Sequence, residues 1–199
     1  MKNNENGRSM VEMLGVLAII GVLSAGGLAG YSKAMFKHKL NSTMDQLTML
    51  VTNIRTMYGT QENYGGLDVE SAYKLGIVSK SAMNSANSAM INPFKGNVYL
   101  EPAEAKSGVE DSAFIVTYDG LPKEACIALA TSDWGTGSGS GFISVSANGV
   151  AGSTNGGVAT EADMTQAYSG TAYEGAPLSV SSAITNCSGE TNSVAIKFY

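Results

Sequence analysis

The sequence predicts an α+β fold in which one long N-terminal helix packs on an antiparallel β-sheet head. Three features carry this prediction: an uncharged run near the N-terminus, an amphipathic stripe that continues from it, and short alternating segments nearer the C-terminus. We expect residues 8–58 to form the helix and residues 59–199 to form the head. The chain has 199 residues, a length that suits one domain with an extension.

The first part of the helix has the length and composition of a membrane span. No residue from Met13 to Ser32 is charged, and about 20 such residues cross the hydrocarbon core of a bilayer. Five glycines lie within the run, and small residues allow helices in lipid to approach closely. We therefore expect residues 8–32 to be a transmembrane helix that packs on other helices. The apolar run is too long for the core of an ordinary secretory signal peptide.

Glu12 is an acidic residue at the start of this run, flanked by Val11 and Met13. A carboxylate that enters a membrane is costly and usually has a partner. Two interpretations remain open on this chemistry. Glu12 lies at headgroup depth and is simply solvated, or it meets a charged partner inside an assembly.

Beyond the apolar run, residues 33–58 form an amphipathic helix. Apolar residues recur there at spacings of three and four, which marks one face of a helix. Polar residues such as Arg55 are expected on the other faces, and Gly59 is a natural stop. The apolar residues of the stripe, which we expect to lie on the head, are Phe36, Leu40, Met44, Leu47, Val51, Ile54 and Tyr58.

The head is predicted to contain short elements joined by turns. A turn is expected at Asn92-Pro93-Phe94-Lys95-Gly96, and Asp119-Gly120-Leu121-Pro122 is expected to break a strand and open a second helix. Residues 135–141 and 148–177 are rich in Gly, Ser and Thr and are expected to be a linker and a surface loop. The predicted helices are residues 71–75 and 123–131, and the predicted strands are residues 97–101, 113–118, 141–147 and 193–199.

Charge is unevenly distributed along the chain. Six basic and three acidic residues leave residues 1–60 with a net charge of +3, whereas six basic and fourteen acidic residues leave residues 61–199 with −8. The acidic head argues against nucleic-acid binding there. Lys33, Lys37 and Lys39 follow the apolar run, and positive charge normally stays on the cytoplasmic side of a membrane. Charge alone would therefore not place the head outside the cytoplasm.

The chain has two cysteines, Cys126 and Cys187. An even pair in a small exported domain favours a disulfide, whereas the same pair in a cytosolic protein is commonly two buried thiols. The number of cysteines alone leaves both interpretations open.

The residues of the chain form no evident catalytic constellation. His38 is the only histidine, which excludes a His-based triad or a site with several His ligands, and the two cysteines lack metal-ligand spacing. The run from Gly137 to Gly141 lacks the ending of a phosphate-binding loop. Glu110 and Asp111 are adjacent acids in a polar stretch, which indicates a solvated turn. We predict that the protein is not an enzyme and binds no cofactor or metal.

The segment Gly7-Arg8-Ser9-Met10-Val11-Glu12, followed by the apolar helix, resembles the type IV prepilin signature. In that family a Gly ends the leader and the fifth residue of the mature chain is Glu. The resemblance implies cleavage after Gly7 by a prepilin peptidase and N-methylation of the new terminus at Arg8. The family usually has Phe, Met or Leu at this first position, so Arg8 is a departure. The resemblance also implies that Glu12 pairs with the free α-amine of a neighbouring subunit.

The head also resembles the type IVb branch of these pilins. The matching segments are Ile91-Asn92-Pro93-Phe94-Lys95-Gly96, residues 123–130, and Cys187 before a short terminal strand. In that branch a disulfide ties a head helix to the C-terminal region and encloses a variable, exposed segment. The resemblance therefore implies the type IV pilin fold, a bond between Cys126 and Cys187, and a disulfide-bounded region of residues 126–187.

This resemblance implies a major type IVb pilin that polymerises into a surface fibre for adhesion, aggregation, motility or DNA transfer. Residues 1–7 would be the leader, and the precursor would lie in the inner membrane with a periplasmic head before it enters an extracellular pilus. The implied partners are other copies of the chain, prepilin peptidase, the assembly platform, its ATPase and the outer-membrane secretin. Two alternatives stay open: a minor pilin or type II secretion pseudopilin, and a membrane-anchored periplasmic domain that retains Met1 and does not polymerise.

Overall fold

Helix α1 comprises Arg8–Tyr58, in agreement with the single long helix that the sequence predicts. The computed structural model describes residues 8–86, 89–105, 109–135, 141–148 and 177–199. Contacts divide the chain into two compact units, Met1–Asn41 and Ser42–Tyr199. The described part of the first unit is helical throughout, including its five glycines. The second unit is the head.

The head is built on a five-stranded antiparallel sheet with the strand order β1-β2-β3-β5-β4. The C-terminal strand β5 therefore lies between β3 and β4, and the four longer strands confirm the predicted strand segments. The strands are β1 Met90–Ile91, β2 Asn97–Ala103, β3 Ala113–Leu121, β4 Phe142–Ala147 and β5 Asn192–Phe198.

The described part of the head also contains three short α-helices. Helix α2, Val69–Lys74, agrees with the predicted short helix and begins where the Asp68 carboxylate accepts the Ser71 N–H at 2.6 Å. Helix α3, Lys123–Thr131, follows Pro122, which stands at the N-cap. Helix α4, Val180–Asn186, and a 3-10 turn at Lys80–Ala82 were not predicted.

One sheet face carries the main core, because alternate residues of a strand point to the same side. On β3 these residues are Phe114, Val116 and Tyr118, all fully buried. The Arg55 guanidinium carbon lies 5.6 Å from the centroid of the Phe198 ring, so α1 crosses this face. The α1 residues buried in the head are Thr43, Leu47, Leu50, Val51, Ile54 and Tyr58. The predicted stripe is thus confirmed from Leu47 to Tyr58, although Leu50 was missed and Met44 is only half-buried.

The predicted break at Asp119-Gly120-Leu121-Pro122 was placed too early in the strand, whereas the second helix that it was expected to open is confirmed after Pro122. Strand β3 continues through Leu121, and a register shift between Tyr118 and Leu121 absorbs the extra residues as a bulge. Gly120 adopts a φ of +67°, and a Cβ there would lie 2.7 Å from the Gly96 Cα. The predicted turn at residues 92–96 packs against this bulge, because Asn92 Nδ2 donates to Asp119 O at 2.7 Å.

Parts of the predicted linker and loop lie outside the described residues. These are residues 136–140 of the linker and residues 149–176 of the surface loop. The two ends of the second segment are described. Asn148 follows β4, and the Leu178 N–H donates to Ala130 O at 2.9 Å just before α4.

Candidate assembly helix and disulfide junction

The first part of α1 presents an apolar surface that its own chain does not cover. Every large apolar side chain from Met10 to Tyr31 is more than half exposed, from 52% at Ile20 to 75% at Val22. Among the described residues, α1 is the helix long and apolar enough to cross a membrane. An apolar surface of this extent marks contact with lipid or with other protein chains.

Glu12 is the single charged side chain of this surface before Lys33. It lies on the exposed second turn of α1. Lys33 is 21 residues further along the helix, roughly 30 Å at 1.5 Å per residue. Of the two predicted processing residues, Arg8 is the first residue of α1 and its side chain is not described, while Gly7 lies outside the described residues.

The glycines of this surface are in open space with respect to the described residues. A Cβ added at Gly15, Gly21, Gly26, Gly27 or Gly30 would meet no other atom within 4 Å. Each glycine nevertheless weakens a helix in water by about 1 kcal/mol relative to alanine. Small residues at these positions therefore suit close approach by a helix from another molecule.

The disulfide joins α3 to the C-terminal end of α4. Cys126 and Cys187 are both fully buried, and their Cα atoms are 5.9 Å apart across a sequence separation of 61 residues. Cys187 is the C-cap residue of α4. The bond therefore closes a region that contains β4 and both described ends of the segment 149–176.

Arg55 anchors α1 to the end of β5, a role that the sequence analysis missed. Its Nε donates to Tyr199 O at 2.7 Å, and its guanidinium lies over the Phe198 ring. Burial lowers the pKa of Arg55 and raises the pKa of Tyr64, whose ring centroid lies 4.8 Å from that of Phe114. Arg55 was expected on an outer face of the helix, but it neighbours the buried stripe, where its apolar stem can pack while its charged head makes polar contacts.

Two amide side chains bind α1 to strand β1 and to the segment that precedes it. Gln46 Nε2 donates to Ile91 O, and Asn53 Nδ2 donates to Ile77 O, each at 3.2 Å. The second half of α1 is therefore part of the head by side-chain contacts as well as by packing.

The residues considered for catalysis do not converge in the structure. His38 is exposed on α1, and Glu110 and Asp111 lie in a turn, where Asp111 has a φ of +53°. Within the described ranges, no group of three or more His, Cys, Asp or Glu side chains is arranged to hold a metal ion.

Comparison with known proteins places the chain among pilins. The family model described as PilS N terminal matches residues 37–198. The major structural subunit of the bundle-forming pilus of Escherichia coli O127:H6 is 27% identical over 135 residues, which are 68% of each chain. The toxin coregulated pilin of Vibrio cholerae is 29% identical over 137 residues, which are 66% of this chain and 59% of that one.

Solved pilin structures share the fold. The type IVb pilin from Salmonella typhi has a TM-score of 0.50 at 16% identity and aligns over 78% of this chain and 97% of its own. TcpA, a type IV pilin from the El Tor biotype of Vibrio cholerae, has a TM-score of 0.51 at 21% identity, with 81% and 99% covered. The family match extends over well more than half of the sequence, so the chain belongs to the PilS N-terminal family and is a type IVb pilin, a structural subunit and not an enzyme.

Proposed function

We propose that this chain is the precursor of the major subunit of a type IVb pilus. Prepilin peptidase removes residues 1–7, and the mature chain begins at Arg8, whose α-amine is then methylated. The head lies in the periplasm while residues 8–32 hold the subunit in the inner membrane. The assembly platform and its ATPase then move subunits into a fibre that leaves through the outer-membrane secretin. The fibre serves adhesion, aggregation, motility or DNA transfer.

The exposed apolar part of α1 is the observation that carries this proposal. This surface consists of large apolar side chains and of glycines with open space around them. It suits the lipid that surrounds the precursor and the helices that surround it in the fibre, because neither environment contains water. The homologous major pilus subunit of Escherichia coli supports the step from membrane to fibre. The partners that cover this surface in the fibre are therefore other copies of the chain.

Glu12 fixes how neighbouring subunits are staggered. In a core of packed helices its carboxylate needs a positive partner, and the α-amine created at Arg8 of the adjacent subunit supplies one. Removing one partner of a buried ion pair costs about 3–5 kcal/mol, equivalent to roughly a hundredfold or more in an equilibrium constant. One buried ionic contact per subunit can thus set the register, as single polar residues do in coiled coils.

N-terminal sequencing of fibres sheared from cells tests the processing step. We expect the sequence to begin at Arg8 and the chain to be the most abundant protein of the fibre. A product that retains Met1 and remains in the membrane would identify an anchored periplasmic domain. A processed chain that is scarce in the fibre, or that occurs only with a type II secretion system, would identify a minor pilin or a pseudopilin.

Substitution of Glu12 by glutamine tests the register contact. The change keeps the shape of the side chain and removes its charge, so we expect the amount of surface fibre to fall at least tenfold while the precursor is still cleaved. The matched control is Glu62→Gln, which removes an exposed acid from the head and should leave the fibre unchanged. Normal fibre levels in Glu12→Gln would refute the role assigned to Glu12.

A further inference from the structure

Two asparagines, Asn192 buried and Asn148 partly buried, tie the head together beside the disulfide. Asn148 follows β4 and adopts a φ of +57°, a region that Asn tolerates better than most residues. Its Nδ2 donates to the carbonyl of Asn186, at 2.7 Å, and to Asn192 Oδ1, also at 2.7 Å. Its Oδ1 accepts the Ser193 N–H at 2.7 Å. One side chain therefore connects the end of β4 to the end of α4 and the start of β5.

Asn192 completes this pair from the first residue of β5. It is 2% exposed, and its Nδ2 donates to Gly189 O at 2.9 Å and to Leu121 O at 3.3 Å. Its Oδ1 accepts from the Gly189 N–H at 3.1 Å as well as from Asn148. Both donors and both acceptor positions of the amide are used, which is the full capacity of an asparagine side chain. We call Asn148 and Asn192 the asparagine clamp.

The clamp and the disulfide hold the same junction by different bonds. Cys187 follows Asn186, whose carbonyl is held by Asn148. Cys126 Sγ lies 4.0 Å from the carbonyl oxygen of Ser193, the residue after Asn192. On the α3 side, Leu121 lies just before the Pro122 cap of that helix and accepts from Asn192. None of the clamp bonds involves sulfur.

We propose that Asn148 and Asn192 are positioning residues for oxidation of the two cysteines. Without the clamp, fewer contacts hold the end of α4 near Cys126, and the effective concentration of the two thiols is lower. With the clamp, the end of α4 is held against β5 and α3 before any covalent bond forms. The clamp therefore raises the equilibrium constant for disulfide formation.

The oxidation step is an ordinary thiol–disulfide exchange. With glutathione disulfide as oxidant, the thiolate of one cysteine attacks a glutathione sulfur and releases one glutathione thiolate. The thiolate of the other cysteine then attacks the mixed disulfide and releases the second glutathione. Cys126 and Cys187 together lose two electrons and two protons, and one glutathione disulfide becomes two glutathione thiols. The clamp acts on the second, intramolecular attack.

The test is to equilibrate the full-length chain, purified in detergent, with glutathione redox buffers and to measure the oxidised fraction by thiol trapping and intact mass. We expect Asn192→Ala to lower the equilibrium constant for oxidation about tenfold, which corresponds to about 30 mV for this two-electron couple. Asn148→Asp tolerates the same backbone conformation and replaces the donating amide by a carboxylate that faces two acceptors. Asn148→Asp should lower the equilibrium constant for oxidation by a similar factor. This variant is the one to measure if Asn192→Ala does not fold.

The matched control is Asn92→Ala. Asn92 is also 2% exposed and also holds backbone groups, because it donates to Asp119 O and accepts from the N–H groups of Phe94 and Gly96. Its removal should lower the melting temperature and leave the oxidation constant unchanged. The proposal is overturned if the two clamp variants oxidise like the unsubstituted chain. It is also overturned if Asn92→Ala shifts the constant equally, since the effect would then be general loss of stability.

Discussion

The two parts of α1 differ in what they contact, although they belong to one helix. Ile19 is 62% exposed in the first part, and Ile54 is 0% exposed in the second. The two side chains are identical, so their different environments come from the rest of the chain and not from the residue. The head buries the apolar side chains of the second part of the helix, whereas those of the first part remain exposed.

The glycines of the two regions show the same difference. Gly21 has open space where its Cβ would be, and Gly120 has both a positive φ and the Gly96 backbone against it. Gly120 is needed by the fold of its own chain. Gly21 has no such requirement, which is consistent with a role that appears only when other helices pack against it. Stability of the head and assembly of the chain should therefore respond to different substitutions.

Replacing both cysteines by serine should give the largest loss of head stability. The chain-entropy model assigns about 4 kcal/mol to a cross-link that closes a loop of this length. Urea unfolding in detergent, followed by the fluorescence of Trp134, the only tryptophan, measures the change. The unsubstituted chain under reducing conditions is the control and should behave alike. A loss below 1 kcal/mol would mean that the head is held mainly by its noncovalent contacts.

Alanine substitution of the two isoleucines compares the parts of α1 directly. Ile54→Ala should lower the free energy of unfolding of the head by about 3 kcal/mol, because it leaves a cavity in a packed core. Ile19→Ala should change that free energy by less than about 0.5 kcal/mol, as expected for an exposed position. The same Trp134 fluorescence assay reads both variants. Equal losses would show that the first part of α1 contributes to the stability of the head.

Alanine substitution of Gly120 and Gly21 compares the same two regions, with a smaller expected change in the free energy of unfolding of the head. Gly120→Ala should destabilise the head by about 2 kcal/mol, because a Cβ is disfavoured at positive φ and would press on Gly96. Gly21→Ala should leave the head unchanged and reduce the yield of surface fibre. Thermal unfolding and quantification of sheared fibres separate the two results. Full fibre yield from Gly21→Ala would argue against close helix packing at that position.

The Asp68 carboxylate should make the smallest contribution to the free energy of unfolding, and this contribution should depend on pH. The Ser71 N–H holds the pKa of the Asp68 carboxyl below its usual value. Its contribution to stability is therefore complete above the pKa of the unfolded chain and is lost as the pH falls through the lower folded value. The carboxylate is exposed and screened by solvent, so the contribution is at most about 1 kcal/mol, the size of an N-cap.

Asn at position 68 is the control for this titration, because it caps a helix without ionising. Between pH 7 and pH 3, the free energy of unfolding of the unsubstituted chain should fall towards that of Asp68→Asn. If the difference between the two chains is constant over this range, the Asp68 charge makes no contribution to stability. Chemical unfolding at matched salt concentration is the measurement.

Much of the fold was accessible from local patterns. The helix α1, the helix α3 and the four longer strands follow from periodicity and from turn residues, which act over a few neighbouring positions. Helix α4 was missed, since only Ala183 of its seven residues is buried and no apolar stripe marks it. The strand β1 has two residues and depends on its pairing with β2. The bulge at Gly120 was read as a break, because its register is visible only when β5 is paired beside it.

The candidate site divides in the same way. The apolar run, Glu12 and the two cysteines could be identified along the chain, because each is defined by its residue type and its neighbours in sequence. Arg55 and the asparagine clamp could not be identified in this way. Arg55 meets Tyr199 across 144 residues, and Asn192 meets Leu121 across 71. Such hydrogen bonds depend on the path of the backbone through the fold, which local periodicity does not predict.

The sequence by itself determined that a helix of this length forms and that its first part is apolar, because both properties follow from the order of residues along one element. Only the tertiary structure decided which half of that helix is covered by its own chain and which amides hold the disulfide junction. Burial and hydrogen-bond partners are set by what the folded sheet brings into contact, and identical side chains such as Ile19 and Ile54 acquire different roles for that reason.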